Sequence, residues 1–500
     1  MRALLQGLAL LCVVLASPVH AVEPALAQRI AAGDNDEKVA VLAKIVAAAD
    51  PKDIPFLKAL AEGTVTVDGK PVEVTVNNRL RKEIDGAIAA LKLVDPDHDT
   101  RLAAAKELSN GAEPSVLPAV RKALAVEKDA EIQGLLASIA ASLGIRAGDK
   151  AERLAAIKTL GSSNSPTSRA LLTELKDEPD LEIRAAAQRA LKEVEGRLAW
   201  AERAGLLFAG ISLGSILLLA ALGLAITYGL MGVINMAHGE LIMIGAYTTY
   251  LVQNLFRAHF PGAFDAYLLF AVPSAFLASM LVGMALERCV VRFLYGRPLE
   301  TLLATWGISL MLIQTVRTIF GAQNVQVENP SWMSGGLEIL SGVVLPYSRI
   351  VIIAFAVAVL AGIGLLLAKT RLGLFVRGVT QNRAMASCVG VPTARVDLWA
   401  FGLGSGLAGL AGCALSQIGN VGPDLGQSYI VDSFLVVVLG GVGQLAGTVL
   451  AALGLGIMNK LLETWAGAVI AKIVVLVFII LFIQKRPQGL FAMKGRSVES

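Results

Sequence analysis

The sequence predicts an all-α protein made of two unlike parts, a helical-repeat region followed by a polytopic α-helical transmembrane domain. Of its 500 residues, 55% are hydrophobic and 17% are charged, and the two halves differ so sharply that this average describes neither. Short helices recur in the first part. Apolar stretches of about 20 residues, the length that crosses the hydrocarbon of a bilayer, then follow one another to the C-terminal end.

The first 21 residues have the pattern of a secretory signal peptide. Arg2 supplies a positive charge, an apolar run extends from Ala3 to Ala16, and Ala21 is the small residue at which cleavage is expected. The alternative is an uncleaved anchor helix, but the run is shorter than the roughly 20 residues that a span needs. We therefore expect residues 22–199 to be exported.

Residues 22–199 contain an internal repeat of short helices rich in alanine and leucine. The segment Arg101–Leu108 recurs as Arg153–Leu160, and the pair Glu131–Ile132 is echoed by Glu182–Ile183. Stacked helix pairs of this kind resemble a HEAT-like solenoid. Such a domain either offers a concave surface to another protein or has no ligand of its own, and the sequence leaves both open.

Residues 22–199 also contain a predicted β-hairpin and no cysteine. The segment Thr64–Val76 alternates valine and threonine around Asp68-Gly69, which predicts a β-hairpin. The four cysteines, at positions 12, 289, 388 and 413, lie outside residues 22–199. The exported domain must therefore hold together by packing, without disulfides.

Residues 200–491 form the predicted membrane domain, and residues 492–500 a cytoplasmic tail. Nine apolar stretches are expected to cross the bilayer: Ala204–Met231, Glu240–Leu255, Ala266–Leu286, Thr301–Phe320, Ile350–Ala368, Leu398–Ile418, Tyr429–Gln444, Leu445–Met458 and Ala466–Phe482. The run from Tyr429 to Met458 is divided at the glycine-rich segment Gly440–Gln444, where a helix can break. A half-crossing at such a segment would change the count but not the orientation.

The distribution of basic residues predicts the orientation. With residues 22–199 outside, the loops expected in the cytoplasm are far richer in arginine and lysine than the opposite loops, as the positive-inside rule requires. The cytoplasmic set is Arg288, Arg292, Arg297, Lys369, Arg371, Arg377, Arg383, Arg395, Lys485, Arg486, Lys494 and Arg496. The C-terminus is therefore expected in the cytoplasm.

Several catalytic chemistries have no counterpart in the sequence. It contains no G-x-x-x-x-G-K-[ST] phosphate loop, no H-E-x-x-H, no Cys/His metal spacing and no G-x-S-x-G, and it has four histidines. We therefore expect neither ATP hydrolysis by this chain itself, nor a metal or other cofactor.

Polar residues beside and within the apolar stretches are candidates for a solute pathway, because burying them in lipid is costly. Asn235, His238 and Glu240 lie together at the joint between the first two stretches; they form either a pathway or gate, or a hydrogen-bonded turn that fixes two helices. A second group lies at the outer end of the sixth and seventh stretches: Asn420, Asp424, Gln427 and Asp432. The glycines Gly402, Gly404, Gly406, Gly409 and Gly412 instead predict close helix packing.

The segment Lys369–Arg395 is the longest loop expected in the cytoplasm. It holds a short helix-compatible stretch with small residues on one side and basic residues around it. Two interpretations remain open: the loop is basic only to set topology, or it is a helix that docks on a partner.

Three motifs resemble the branched-chain amino acid type of ABC importer permeases. They are Gly232–Glu240, Thr370–Pro392 and Val437–Gly443, and they occur in the right order. Within that family, Arg297–Gly307, Gly419–Gln427 and the long N-terminal extension look most like the permeases of urea importers. The resemblance covers Ala204–Phe491.

The resemblance implies a heterodimer of two related permeases, two cytoplasmic ATPase subunits and an exported solute-binding protein. It places Thr305 on the substrate pathway with the polar groups above. It also implies an ATPase coupling loop with Arg371, Gly373, Arg377, Asn382, Arg383, Ala384, Ala386 and Gly390. The substrate is left open among urea, short amides and branched-chain amino acids, and the competing function is a membrane-anchored scaffold or sensor.

The predicted orientation is testable with single cysteines in a variant that lacks the four native ones. A cysteine at Ser162 should react with a membrane-impermeant thiol reagent in intact cells, because it lies in the exported domain. A cysteine at Ser387 should react only after the membrane is opened. The reverse labelling pattern would contradict both the signal peptide and the assignment of the basic loops.

Overall fold

The computed structural model describes residues 26, 28–30, 33–48, 51–67, 70–146, 149–163, 165–340 and 343–491. The predicted signal peptide and the predicted tail after residue 491 lie outside these ranges. The chain divides into two compact units, Met1–Ala199 and Trp200–Ser500. Each unit is built from helices with one small antiparallel hairpin.

The first unit is a succession of short helices connected by tight turns. They are α1 (Asn35–Ala48), α2 (Ile54–Ala61), α3 (Asn78–Lys92), α4 (His98–Ser109), α5 (Leu117–Val126), α6 (Ala130–Gly144), α7 (Lys150–Ser162), α8 (Pro166–Glu174) and the first part of α9 (Leu181–Met231). Buried leucine, isoleucine and alanine side chains from successive helices form its core. Each helix therefore packs through one apolar face, which is formed by the alanine and leucine residues that recur in the sequence.

The internal repeat of the sequence has a structural counterpart in two ion pairs. Arg101, near the start of α4, donates from Nε to Glu127 Oε2 at 2.8 Å. Arg153, near the start of α7, donates to Glu178 Oε1 at 3.0 Å. In each case the glutamate lies just before a later helix, so one arginine ties the start of its own helix to the connection ahead of another.

The same two repeats share a helix cap. Asp129 and Asp180 each accept hydrogen bonds from the backbone N–H groups two and three residues further on, at the N-termini of α6 and α9. An aspartate at this position satisfies N–H groups that have no partner within the helix. The two copies of the internal sequence repeat thus share the same helix cap and the same ion pair.

The predicted β-hairpin is confirmed. Strand β1 (Thr64–Val67) pairs antiparallel with β2 (Lys70–Glu73), with Val65 opposite Val72. The Asp68-Gly69 turn itself lies outside the described residues. A second hairpin in the other unit, β3 (Gly336–Leu340) with β4 (Val343–Pro346), was not predicted, because its apolar residues merge in the sequence with the helix that follows.

The second unit is a helical bundle. It contains the rest of α9, then α10 (His238–His259), α11 (Tyr267–Cys289), α12 (Pro298–Phe320), α13 (Tyr347–Lys369), α14 (Arg371–Gln381), α15 (Arg383–Cys388), α16 (Thr393–Ser416), α17 (Leu425–Gly440) and α18 (Leu445–Lys485). In the described chain, six helices are long and apolar enough to cross a membrane. They are α9, α12, α13, α16, α18, and α11 together with the short turn before it.

All nine predicted stretches are helical over most of their length. The predicted division is also found, since α17 ends at Gly440, Gly441 has a φ of 100°, and α18 begins at Leu445. A second break falls within α18 at Gly467, whose φ is 80°, one residue after the start of the last predicted stretch, Ala466–Phe482. The number of bilayer crossings stays a prediction.

Helix α16 is the centre of the bundle and packs against α10 and α11. A Cβ atom at Gly404 would lie 2.6 Å from the carbonyl oxygen of Gly223, and one at Gly412 would collide with the carbonyl oxygen of Ile242. Backbones approach this closely only where no side chain intervenes. The predicted packing role of these glycines is confirmed.

The pair between Arg101 and Glu127 should make a pH-dependent contribution to the stability of the first unit. The hydrogen bond from Arg101 lowers the pKa of Glu127 from 4.5 to about 2. Since the folded-state pKa is the lower one, the contribution is complete above the ordinary pKa and is lost as the pH falls towards 2. Glu127→Gln should therefore speed amide hydrogen exchange at the α5–α6 connection by a few fold at neutral pH.

The exposed pair between Lys106 and Glu131 provides the control. Glu131→Gln should leave exchange at that connection nearly unchanged, because both side chains are more than half exposed. Equal exchange in the two variants, or a difference that persists below pH 2, would contradict the assigned role of Glu127.

Candidate functional site

The backbone of the second unit is interrupted inside the bundle, between α9 and α10. After Met231 the chain leaves the helix at Gly232, whose φ is 64°, and α10 begins only at His238. The imidazole Nε2–H of His238 donates to the carbonyl oxygen of Ala220 at 3.0 Å. Ala220 lies about 17 Å back along α9 from its end. The non-helical segment 232–237 therefore folds back into the bundle, and α10 starts well inside it.

The N-terminus of α17 meets the N-terminus of α10 at this level. A Cβ atom at Gly239 would lie 2.6 Å from the carbonyl oxygen of Gly426, so the two backbones touch. The first N–H groups of a helix lack partners within the helix and carry partial positive charge. Two helix N-termini inside a membrane domain form the kind of site at which transporters bind anionic groups of their substrates.

Two buried side chains at this junction have polar atoms without a partner among the described residues. Glu240 is 1% exposed; its Oε1 accepts a hydrogen bond from Ser309 Oγ at 2.8 Å, whereas its Oε2 has no partner. Asn235 is 2% exposed; its Oδ1 accepts from the N–H of Ala237 at 3.1 Å, whereas its Nδ2 has no partner. Burial without a hydrogen bond is costly, so an acceptor and a donor are available here to a ligand.

Helix α12 closes the other side of the junction. Thr305 Oγ1 accepts a hydrogen bond from the N–H of Met236 at 3.1 Å, which holds the folded-back segment. Ser309, one turn further, is the residue that binds Glu240 and that sequence reasoning missed. The signal was present, because Thr301, Thr305 and Ser309 recur every four residues on one face of an otherwise apolar helix.

An apolar cavity of about 240 Å³ adjoins Asn235. Its walls come from α9, α12 and α17 and from the segment before α10: Leu224, Tyr228, Ile234, Met236, Leu302, Ile430, Val431 and Phe434. Asn235 is the lining residue with a side-chain amide. The cavity therefore provides an apolar surface next to the segment that carries Asn235.

The second predicted polar group does not form one cluster. Asp424 pairs with Arg317 at 2.7 Å, Asp432 lies 3.5 Å from Lys472, and Asn420 and Gln427 are exposed. The rise of α17 separates Asp432 from Asp424 by about 12 Å along the helix axis. Sequence proximity was misleading, because these two carboxylates serve different ion pairs.

The predicted coupling loop consists of two short helices. Thr370 Oγ1 accepts from the N–H of Gly373 and caps α14, and Asn382 Oδ1 accepts from the N–H of Met385 and caps α15. The remaining predicted residues divide by exposure: Arg371, Arg377, Ala384 and Gly390 are exposed, whereas Gly373 and Ala386 are buried. The exposed set is available to a partner, and the buried set packs within the chain.

Arg383, a predicted member of the coupling loop, has a side chain that is 42% exposed and that also contacts the bundle. Its guanidinium donates to both carboxylate oxygens of Asp397, whose side chain is 1% exposed. It also lies over the ring of Tyr295, 4.6 Å from the ring centroid. Arg383 therefore fastens α15 to α16 and to the connection that precedes α12.

The contact between α10 and α17 depends on the absence of side chains at Gly239 and Gly426. Gly426→Ala should lower the thermal stability of the protein in detergent, because its Cβ would collide with the backbone of Gly239; overpacking of this kind costs about 1–3 kcal/mol. Gly454→Ala on α18 is the matched control, because its Cβ would meet nothing within 4 Å. Equal melting temperatures for the two variants would show that the helix ends are not in contact.

Comparisons with known proteins agree with the membrane architecture of the second unit. A family model described as "Branched-chain amino acid transport system / permease component" matches residues 206–483. The high-affinity branched-chain amino acid transport system permease protein LivH of Salmonella typhimurium is 28% identical over 57% of this chain and 94% of its own length. The corresponding protein BraD of Pseudomonas aeruginosa is 28% identical over 56% of this chain and 93% of its own.

No solved structure matches the chain. The family match covers more than half of the chain, and the curated relatives are matched over almost their whole length by the second unit. The residues before 206 lie outside the family match. This protein is therefore a multi-pass membrane protein that belongs to the family of branched-chain amino acid transport system permease components.

Proposed function

We propose that this chain is the membrane-spanning subunit of an ATP-driven importer, and that its solute passes the junction of α10 and α17. The observation that carries the proposal is the pair of unpartnered buried groups, Glu240 Oε2 and Asn235 Nδ2, at the point where two helix N-termini meet. A scaffold or sensor would need an anchor but not this junction. Because the sequence has no phosphate loop, ATP hydrolysis belongs to separate subunits.

A branched-chain amino acid is the substrate that the junction and the relatives support best. The helix N-termini suit its carboxylate, and Glu240 suits its ammonium group. The apolar cavity beside Asn235 suits a branched aliphatic side chain. Each of the three parts of such a solute thus has a matching surface at or beside the junction.

Urea is the second candidate, and the motifs Arg297–Gly307 and Gly419–Gln427 favour it. The long region before residue 206, which the family match does not include, favours it as well. Urea is neutral and would use the same polar atoms, donating to Glu240 and accepting from Asn235. Urea has no aliphatic group that would fill the apolar cavity. It also has no positive charge, so its binding would not require Glu240 to be charged, whereas an amino acid's ammonium group would.

The proposal includes the following assembly in the inner membrane. A second related permease, two cytoplasmic ATPase subunits and an exported solute-binding protein complete the importer. The first unit is a HEAT-like domain on the outer side, where its repeated caps and ion pairs stabilise stacked helices without disulfides. The C-terminus lies in the cytoplasm.

The helices α14 and α15 are proposed as the contact with the ATPase subunits. Arg371 and Ala384 are exposed and available for that contact, whereas Ala386 packs among buried apolar residues of the bundle. Arg383 holds α15 to the bundle through Asp397 and Tyr295. A force applied to α15 therefore reaches the membrane helices directly.

Reconstituted uptake tests the function. Proteoliposomes that contain both permeases, the ATPases and the binding protein should accumulate labelled solute only when ATP is present on the ATPase side. Parallel assays with leucine and with urea, each challenged by the other compound in excess, identify the substrate. ATP-independent solute flux, or no uptake of either compound by the complete assembly, would contradict the proposal.

Substitutions of Glu240 separate the two substrates. If Glu240 pairs with an ammonium group, Glu240→Gln and Glu240→Leu should both reduce leucine uptake by about tenfold or more, because neither side chain carries the charge. If the solute is urea, Glu240→Gln should retain part of the uptake, because an amide still forms hydrogen bonds, and Glu240→Leu should abolish it. Glu328→Gln is the control, since it is the same chemical change in an ion pair with Arg257 whose side chains are both more than half exposed, and it should contribute little. Full uptake by Glu240→Leu would place the pathway elsewhere.

A further inference from the structure

A second and larger cavity lies at the end of the bundle where α13 continues into α14. Its volume is about 590 Å³, within the range of about 300–1,000 Å³ that is usual for ligand sites. One wall is apolar and comes from α9 and α13, with Leu230 and Leu367 among its residues. The other wall is polar and comes from α14 and from the turn before α18. The cavity plays no part in the proposed solute pathway.

The polar wall is positively charged. Arg377, Thr380 and Gln381 line it from one face of α14, at the i, i+3 and i+4 spacing that brings side chains together on a helix, and Gln444 lines it from the turn. In the described part of the chain, the guanidinium of Arg377 forms neither an ion pair nor a hydrogen bond. No aspartate or glutamate lies among the residues that line the cavity. The cavity thus presents an uncompensated cation and two amide side chains to a ligand.

The position of the cavity defines the ligand further. Helix α13 is apolar enough to cross the bilayer, and it ends at Lys369, just before α14 begins at Arg371. The cavity therefore lies at the level where lipid headgroups meet hydrocarbon. A ligand that matches it has an anionic group joined to an apolar chain, and basic pockets between membrane helices bind lipid headgroups of this kind.

We propose that an anionic glycerophospholipid of the surrounding bilayer binds in this cavity. Its phosphate contacts Arg377, its glycerol and ester oxygens accept hydrogen bonds from the amides of Gln381 and Gln444, and the first part of one acyl chain lies against Leu230 and Leu367. The lipid would then join α14 to α9 and α13 at the base of the proposed coupling loop. The inference requires the family's membrane location but not a particular solute.

The chain offers matched pairs of variants for the test. Gly364 lines the apolar wall, and a Cβ atom added there meets nothing within 4 Å, so Gly364→Leu should place a side chain in the cavity without a backbone clash. Gly362 on the same helix also has open space but does not line the cavity, so Gly362→Leu is its control. For the charge, Arg377→Gln is matched by Arg395→Gln, a change to an exposed arginine outside the cavity.

The full-length protein is placed in nanodiscs of phosphatidylcholine with and without phosphatidylglycerol, and the lipids retained after purification are counted by native mass spectrometry. The wild type and both controls should retain phosphatidylglycerol in preference to phosphatidylcholine. Gly364→Leu should lose this preference, and Arg377→Gln should lower it by about tenfold. Gel filtration of each variant verifies that the fold is intact.

Three outcomes would overturn the proposal. The first is equal retention of phosphatidylglycerol by Gly364→Leu, Arg377→Gln and their controls. The second is displacement of phosphatidylglycerol by inorganic phosphate alone, which would identify a site for a free anion. The third is cross-linking of a photoreactive residue at position 377 to another subunit of the assembled importer, with no phosphatidylglycerol retained, which would identify a protein contact.

Discussion

The second unit depends on backbone contact at glycine. Helices α9, α10, α16 and α17 approach one another where Gly223 faces Gly404 and Gly239 faces Gly426. Apolar side chains in a bilayer gain little by leaving lipid for protein, so close van der Waals contact must supply the attraction between helices. Every other feature of the bundle, including the two helix ends that meet inside it, requires this approach.

The same contacts make the interrupted backbone tolerable. The segment 232–237 lies outside any helix, and each of its backbone N–H and C=O groups left without a partner in lipid would cost several kcal/mol. Here the segment is enclosed by protein: His238 binds the carbonyl oxygen of Ala220, and Thr305 binds the N–H of Met236. The closely packed helices thus enclose a non-helical stretch that carries Asn235 and leads into the first turn of α10, where Glu240 lies.

The sequence predicted most of the helices, but not the level within the bundle at which each of them begins. Hydrophobic length located the nine helical stretches, and glycine located the break after Gly440. The internal repeat was also recognised, although the equivalent ion pairs of Arg101 and Arg153 appear only in the structure. These signals are local, because helix length and helix breaks depend on residues that are close together in the sequence. The level at which α10 begins depends instead on contacts between distant segments, which no window of sequence contains.

The candidate site shows the same division. Asn235, His238 and Glu240 were predicted because polar residues beside apolar stretches are rare and costly. Ser309 was missed because a single serine in a helix usually bonds to its own backbone, and only the folded chain shows that it bonds to Glu240 instead. Asp424 and Asp432 were grouped by sequence distance, and the rise of a helix separated them.

One set of contacts joins the predicted coupling loop to the junction. Arg383 on α15 lies over Tyr295, which shortly precedes α12, and α12 carries both Thr305 and Ser309. A helix transmits displacement along its axis, since its backbone hydrogen bonds make it stiff compared with the loops around it. The proposed coupling would follow this path, from Arg383 and Tyr295 to α12 and to the hydroxyl groups that bind Met236 and Glu240. The non-helical segment 232–237 lies at the end of this path, where Thr305 binds the N–H of Met236 and no continuous helical ladder of backbone hydrogen bonds is present.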